Sequence, residues 1–383
     1  MIRSLTIRNF RSIRHLDRLE LGRFHVLVGP NGSGKTTFLD AIEFLRDSLA
    51  TSPREAVERR APNFEDLTFN RQGGFIELQF EVEADERVLT YEILLKADAD
   101  LGVKVHEESL GDTSGSLLKR NFSAVSYRRE DFREGSDELR WDSFTFASDR
   151  LALALVPPDL NRYGVANAVR QILLDGVSLL QLDGRQIAQP SPRTRSFRLE
   201  ADGSNLARVV GSLLRASPLT RPDRDEALLP WIEHLRYAIP DLEGVGWKQR
   251  EADNAEYLVL RYGDGLECPS WLLSDGTLRM LALTLLSFLP AQRGIFLVEE
   301  PENGVHPKAL GLIIDSLSTV PMAQVFLATH SAQVVQQVGI EPLLCFSRNS
   351  GGARIVRGGE HPFLKNWDGI PDLATVFSAG ILE

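Results

Sequence analysis

The chain has 383 residues, 43% hydrophobic and 25% charged, a globular balance with room for one large core or two modest ones. A formal charge of −10 argues against a surface coated in nucleic acid, while leaving room for local basic patches. The opening MIRSLTIRNF lacks the apolar core of a secretory leader, and the greasiest runs, Leu151 to Val156 and Leu281 to Leu289, are too short to span a bilayer; Cys268 and Cys345 have no paired spacing, so the expectation is a reducing cytoplasm and no membrane partner.

In chain order, Ile2, Leu5, Ile7 and Phe10 against Arg and Ser predict a half-buried strand. Phe24 to Val28 is a short continuous apolar run, as in a strand buried on both faces. Phe38, Ile42, Leu45 and Leu49 then recur at helical spacing. Residues 51–72 read as polar and irregular. Phe75 to Leu95 alternates as antiparallel strands around the turn Ala84-Asp85-Glu86. Residues 98–150, rich in Asp, Ser, Gly and Arg, have no clear period. Residues 161–240 read as mainly helical, with apolar-periodic stretches at Leu206, Val209, Val210, Leu213 and Leu214 and at Trp231 to Leu235. A strand at Glu256 to Tyr262, a helix from Thr277, a strand at Ile295 to Val298, a helix from Pro307 and a strand at Val325 to Ala328 give the alternating α/β pattern of a parallel sheet. No heptad run appears.

Between the second strand and its helix stands Gly29-Pro30-Asn31-Gly32-Ser33-Gly34-Lys35-Thr36, which satisfies the phosphate-loop pattern. Its glycines allow a concave backbone whose N–H groups converge on phosphate oxygens, and the helix N-terminus adds partial positive charge. Lys35 is placed for the β and γ phosphates, and Thr36 offers a hydroxyl to Mg²⁺. Ile295 to Val298 ends in Glu299 and Glu300, one carboxylate for a metal shell and one for a general base, the two acids that hydrolysis needs. Ser274-Asp275-Gly276-Thr277 opens an apolar helix with a hydroxyl and a glycine amide, a second helix N-terminus able to meet phosphate. His330 follows another apolar strand, where an imidazole could reach a γ-phosphate.

Together these segments resemble the ABC ATPase class, and within it the soluble RecF-, SMC- and OLD-like ATPases. The residues that carry the likeness are Ile7-Arg8-Asn9-Phe10-Arg11-Ser12, the phosphate loop, Leu273 to Arg279 as a signature motif, Glu299 to Pro307 as Walker B and D-loop, and Ala328-Thr329-His330-Ser331 as the switch histidine. The likeness is greatest to the stand-alone bacterial ATPases called AAA_21, many of them in anti-phage systems. It covers residues 1–50 and 200–350 well and the middle only loosely.

The resemblance implies an α/β fold: an ABC ATPase head with a mixed parallel sheet, an antiparallel β subdomain and a helical insertion. The ATPase domain would span 1–350, as a lobe at 1–97, an irregular and helical insertion at 98–240 and a signature, Walker B and switch lobe at 241–350, with a tail at 351–383. ATP and Mg²⁺ are the implied cofactors. Gly29 to Thr37, with Arg8, Phe10, Arg11, Ser274 and Gly276, would bind nucleotide; Thr36 and Glu299 would hold the metal; Lys35, Glu300 and His330 would carry catalysis. One phosphate loop and one signature per chain imply a homodimer with two shared ATP sites. Many ABC enzymes have Asp where Glu299 stands, and a longer side chain can reach the metal through water. Gln72 and Gln79 are the candidates for a Q-loop residue. Too few residues follow His330 for the nuclease domain of OLD proteins, so an effector such as a nuclease would be a separate polypeptide.

Three functions stay open on these residues: a regulatory ATPase in defence or DNA processing, a RecF-like repair ATPase, and an ATP-bound scaffold with little turnover. The second would bind DNA or RNA through basic runs at Arg3, Arg8, Arg11, Arg14 and Arg18, at Lys119, Arg120, Arg128, Arg129 and Arg133, and at Arg193, Arg195 and Arg198. The plainer reading of those runs is solvated charge balanced by acidic neighbours.

Overall fold

A computed structural model of the chain describes residues 1–130, 140–193, 196, 198–216, 228–289 and 294–382. Its first elements are β1 (Ile2–Phe10), β2 (Ile13–Glu20), β3 (Phe24–Val28), α1 (Lys35–Ala50) and α2 (Pro53–Glu58). Then come β4 (Phe75–Ala84), β5 (Arg87–Asp98), β6 (Gly102–Asp112), β7 (Gly115–Asn121), β8 (Ala124–Arg128), β9 (Trp141–Thr145) and α3 (Leu160–Arg170). The middle holds β10 (Val177–Leu180), α4 (Gly184–Ala188), α5 (Leu206–Ala216), α6 (Leu229–Leu235), β11 (Leu242–Gln249), β12 (Glu256–Tyr262) and β13 (Glu267–Pro269). Last are α7 (Asp275–Leu285), β14 (Gly294–Glu299), α8 (Pro307–Ser318), β15 (Ala323–Ala328), α9 (Ala332–Gln337), β16 (Leu343–Asn349), β17 (Gly352–Arg357) and α10 (Leu373–Ser378).

These elements pack into two compact units, one of Met1–Val177 with Glu341–Asn366 and Gly380–Glu383, the other of Ser178–Ile340 with Trp367–Ala379. In the first unit an eight-stranded antiparallel sheet runs in the order β2-β1-β4-β5-β6-β7-β8-β9. The β4–β5 hairpin turns on Asp85 and Glu86, both with positive φ (48° and 62°), the two-residue geometry whose twist matches that of its strands. A second group in the same unit is β3-β16-β17: β16 runs parallel to β3, pairing Cys345 with Val28, and antiparallel to β17. β17 therefore lies beyond residue 350, in the segment read from sequence as a tail. α1 buries Phe38, Ile42, Leu45 and Leu49, the face its spacing predicts.

Two further stretches differ from the sequence reading. Residues 98–150, without a readable period, carry β6 to β9, and β6 shows why. Val103, Val105, Glu108 and Leu110 point inward, but the register slips at His106 and one inward position holds a carboxylate. Glu108 is buried and accepts hydrogen bonds from the Ala152 and Leu153 amides (2.6 and 2.8 Å) and from the Tyr91 hydroxyl (2.8 Å). Arg120 stands 3.6 Å from it and donates to the carbonyls of Phe122, Ala147 and Arg150. Residues 51–72, read as irregular, contain α2, whose N-cap Ser52 accepts from the Glu55 amide at 3.1 Å.

In the second unit β14 and β15 pair in parallel, with β10 on the far side of β14, and β11-β12-β13 form a small antiparallel sheet. Residues 161–240 hold α3 to α6, as the periodicity predicts, with the short β10 among them. Trp231 of α6 is fully buried and donates its indole N–H to Thr284 of α7 at 2.9 Å, which satisfies both groups. Among the described residues no helix is long and apolar enough to cross a membrane.

Candidate phosphate-binding site

The loop in the first unit is built by close approach. β3 is buried from His25 to Val28 and delivers Gly29 against β16, where an added Cβ would lie 2.1 Å from the Phe346 carbonyl oxygen. At Gly34 a Cβ would meet Ala353 at 2.7 Å and Ser12 Oγ at 3.1 Å. Only glycine fits either place, and both have positive φ.

Gly34, at φ 112°, is also the N-cap of the 16-residue α1, and no side chain caps that end. The first amides of the helix are thus left to the loop's concave side, with the helix dipole behind them. Lys35 is buried, and its ammonium donates to the Gly29 and Pro30 carbonyls at 2.6 and 3.0 Å, which holds a full positive charge at the mouth of the loop. Ser33 Oγ is buried with no hydrogen-bond partner among the described residues, while Asn31, Gly32 and Thr36 are exposed. Thr37 is buried and its hydroxyl is 2.8 Å from Ser12 Oγ. An uncapped helix end, a buried orphan hydroxyl and a held ammonium are what a phosphate chain satisfies.

Phe10, expected beside the nucleotide, is wholly buried and packs on Phe44 of α1 at a 5.4 Å ring distance, so it supports the helix and presents no face to a ligand. Arg11 is tied to Asp40 of α1 at 2.5 Å, and Asp40 also takes Arg60 at 2.5 Å. Arg8 pairs with Glu77 at 3.2 Å. These side chains brace α1 and the sheet. Asp40 carries no local signal in the sequence, since its partners Arg11 and Arg60 come from outside α1.

In the second unit Glu299 ends β14 and Glu300 follows it with φ 48°. A left-handed glutamate costs about 1–3 kcal/mol, and such strain collects where a side chain must be aimed. The Glu300 amide donates to Ala328 of β15 at 2.8 Å, and its carboxylate accepts from the Asn303 side chain at 2.5 Å. His330 Nε2 is 4.0 Å from Glu300 Oε1, and both side chains are partly exposed, so the acid and the imidazole read from separate motifs do share one place. Glu302 fixes that place, accepting from the Thr329 hydroxyl at 2.7 Å and from the His330 amide at 3.1 Å.

Ser274 is the N-cap of α7 and accepts from the Thr277 amide at 3.1 Å. Gly276 abuts the turn after β14 so closely that a Cβ there would lie 2.2 Å from the Gly304 carbonyl oxygen. The signature segment and the D-loop segment are thus packed backbone to backbone. Gln72 closes a short helical turn after Phe69, and Gln79 lies half-buried in β4.

The basic runs are largely spent inside the fold. Arg3 pairs with Glu83, Arg8 with Glu77, Arg11 with Asp40 and Arg18 with Glu81, at 2.5–3.2 Å. Arg120 is buried, and Lys119 lies over the Trp141 ring at 5.8 Å. Arg133 and Arg195 lie outside the described residues.

The family model AAA_21, described as "AAA domain, putative AbiEii toxin, Type IV TA system", matches residues 24–336. The DNA replication and repair protein RecF of Roseiflexus castenholzii (strain DSM 13941 / HLO8) is 28% identical over 238 residues, 61% of this chain and 52% of that protein, so the chain spans about half the length of this curated relative. Among solved structures, an SMC head bound to the C-winged helix domain of ScpA aligns over 93% of this chain and 96% of its own, with a TM-score of 0.55 and 14% identity, a likeness of fold. The phosphate loop near the start of the matched span and His330 near its end fall inside one family pattern, and the chain belongs to the AAA_21 family.

Proposed function

We propose that this chain binds and hydrolyses ATP with Mg²⁺ and works as a nucleotide-switched homodimer, a cytoplasmic sensor or regulatory subunit of an anti-phage defence or DNA-processing complex. Its effector, such as a nuclease, would be a separate polypeptide. The observation that carries the reading is the phosphate loop, where an uncapped helix end, the orphan Ser33 hydroxyl and the Lys35 ammonium meet. In this reading Gly29 to Thr37 cradle the phosphates, Lys35 exchanges its carbonyl partners for phosphate oxygens, and Thr36 and Glu299 hold the metal. Bound Mg²⁺ would supply charge neutralisation for the phosphates. Glu300 takes the proton of the attacking water, with His330 beside it, and Ser274 and Gly276 meet the ATP of the second subunit.

Steady-state hydrolysis by wild type and Glu300→Gln tests the assignment. Loss of a general base is expected to slow turnover at least about 100-fold while leaving ATP binding intact. The same variant with ATP should run at twice the monomer mass in light scattering, since hydrolysis no longer releases the dimer. Equal rates in the two proteins would remove the catalytic assignment, and a monomeric mass would remove the sandwich.

A RecF-like role in DNA repair is favoured by the RecF relative. The ion-paired arginines of the first unit speak against those clusters as its DNA surface. Affinity for duplex DNA that depends on ATP and falls steeply with salt would favour the repair reading.

A further inference from the structure

The family match ends at residue 336, and the strand that braces the phosphate loop follows it. β16 has two faces. Phe346 packs edge-on against Phe38 of α1 at 5.9 Å, and its carbonyl closes on Gly29. Its neighbours Cys345 and Ser347 therefore point to the other face, because successive side chains alternate across a strand. There they pair across to Val356 and Arg354 of β17. These four form the floor of a cavity of about 300 Å³, walled by His361, Phe363 and Leu382.

The polar side chains that line this cavity, Cys345, Ser347, Arg354 and His361, are all donors or donor-capable, and the other lining side chains are apolar. Arg354 forms no ion pair among the described residues, although the chain carries ten more acidic than basic charges. His361 Nδ1 accepts from the Phe363 amide at 3.3 Å, so the neutral ring carries its hydrogen on Nε2. Burial, with the Arg354 charge beside it, lowers the His361 pKa and keeps that neutral form at pH 7. Ser347 adds a hydroxyl beside Arg354. Val356, Phe363 and Leu382 offer no polar side-chain group.

We infer that this cavity is a binding site for a small organic carboxylate, the anionic head held by Arg354, Ser347 and His361 and the apolar body lying on Val356, Phe363 and Leu382. A guanidinium fork matches a carboxylate in two hydrogen bonds, and an imidazole N–H and a hydroxyl complete the set. The site stands one residue to either side of Phe346, so a ligand that moves β16 moves the carbonyl that limits Gly29. This coupling to the loop rests on the nucleotide reading; the binding itself does not.

Hexanoate is a suitable probe, with hexan-1-ol as its uncharged isostere and acetate as the head without the body. Binding is followed on the full chain through the His361 ring resonances in NMR. Hexanoate should shift them saturably, acetate weakly and hexan-1-ol not at all, and Arg354→Ala should weaken hexanoate at least about tenfold. Ser347→Ala should weaken it less, and Lys35→Ala, which removes the phosphate-loop charge, should bind hexanoate as wild type does. Equal binding of hexanoate and hexan-1-ol, or full affinity in Arg354→Ala, would overturn the site. ADP affinity of the wild type, measured with and without saturating hexanoate, should differ if β16 transmits the event. An unchanged value would overturn the coupling and leave the carboxylate site to stand on the NMR result.

Discussion

The Glu302 carboxylate and the Thr329 hydroxyl lie 2.7 Å apart, and the same carboxylate oxygen accepts the His330 amide at 3.1 Å. Through one side chain, the turn after β14 sets the position of His330 after β15. Thr329 is fully buried, so its hydroxyl has no water to fall back on. Glu302→Ala is expected to lower turnover about tenfold, with a loss of roughly 1–3 kcal/mol in stability from the orphaned donors. ATP affinity should hold, because Glu302 has no part in the phosphate loop. Glu302→Gln keeps an acceptor and should retain most activity. Unchanged turnover in the alanine variant would show that His330 does not act in hydrolysis.

The glycines of the phosphate loop are expected to divide into two kinds. Gly29 has a backbone carbonyl 2.1 Å from where a Cβ would sit, and Gly32, at φ 74°, has open space around it. Gly29→Ala must push β3 and β16 apart and is expected to cost more than about 3 kcal/mol and abolish ADP binding. Gly32→Ala pays only for its left-handed backbone, about 1–2 kcal/mol, and Asn there should cost less. Denaturant midpoints and ADP titrations of the three variants decide this, and a Gly29→Ala chain that binds ADP normally would refute the packing argument.

Much of this site is legible in the sequence because its signals are local. The run Phe24 to Val28, the spaced glycines and the helical period of α1 lie within a stretch where no distant partner is needed. The carboxylate pair after Ile295 to Val298 is legible for the same reason. The left-handed backbone of Glu300 is not, since glutamate carries no preference for it and the Ala328 carbonyl that holds it comes from another strand. Phe10 misleads in the other direction: its place in a familiar motif suggests a ligand contact, whereas the left-handed backbone of Asn9 (φ 61°) breaks the two-residue period just before it and the ring is buried. The strands β6 to β9 are hidden by chemistry, because an inward Glu108 and a register slip break the alternation that reveals β4 and β5.

His25 gives the first unit a sensitivity to acid. Its ring is buried in β3, with Nε2 accepting from the Gly22 amide at 2.6 Å and Nδ1 facing the Pro342 carbonyl at 3.3 Å, an arrangement that suits the neutral ring. Burial lowers its pKa to about 4. The folded state therefore resists a proton that the unfolded chain accepts below about pH 6.5, so the stabilisation is full above that pH and is lost as pH falls towards 4. The loss over that window is about 3 kcal/mol. His25→Gln, which cannot titrate, should show a flatter stability curve between pH 6.5 and 4 than wild type. Parallel curves would assign the acid sensitivity to other groups.

Arg120 tells apart the two readings of the second basic run. A DNA contact would leave its guanidinium in water, yet it is buried and donates to the Phe122, Ala147 and Arg150 carbonyls beside Glu108. Arg120→Met would leave the Glu108 charge buried without its cation and is expected to destabilise the chain by about 3–5 kcal/mol. Tyr91→Phe, which removes one hydrogen bond to the same carboxylate, should cost only about 1 kcal/mol. Neither should change whatever affinity the chain has for duplex DNA under conditions where it stays folded. Lys119, on the neighbouring strand position and stacked over Trp141, is the control, since its ammonium can reach solvent. A drop of about one in the salt slope of DNA binding on Lys119→Ala would mark a phosphate contact there, whereas the same drop on Arg120→Met would contradict the buried clasp, because a guanidinium held by three carbonyls releases no counterions from DNA.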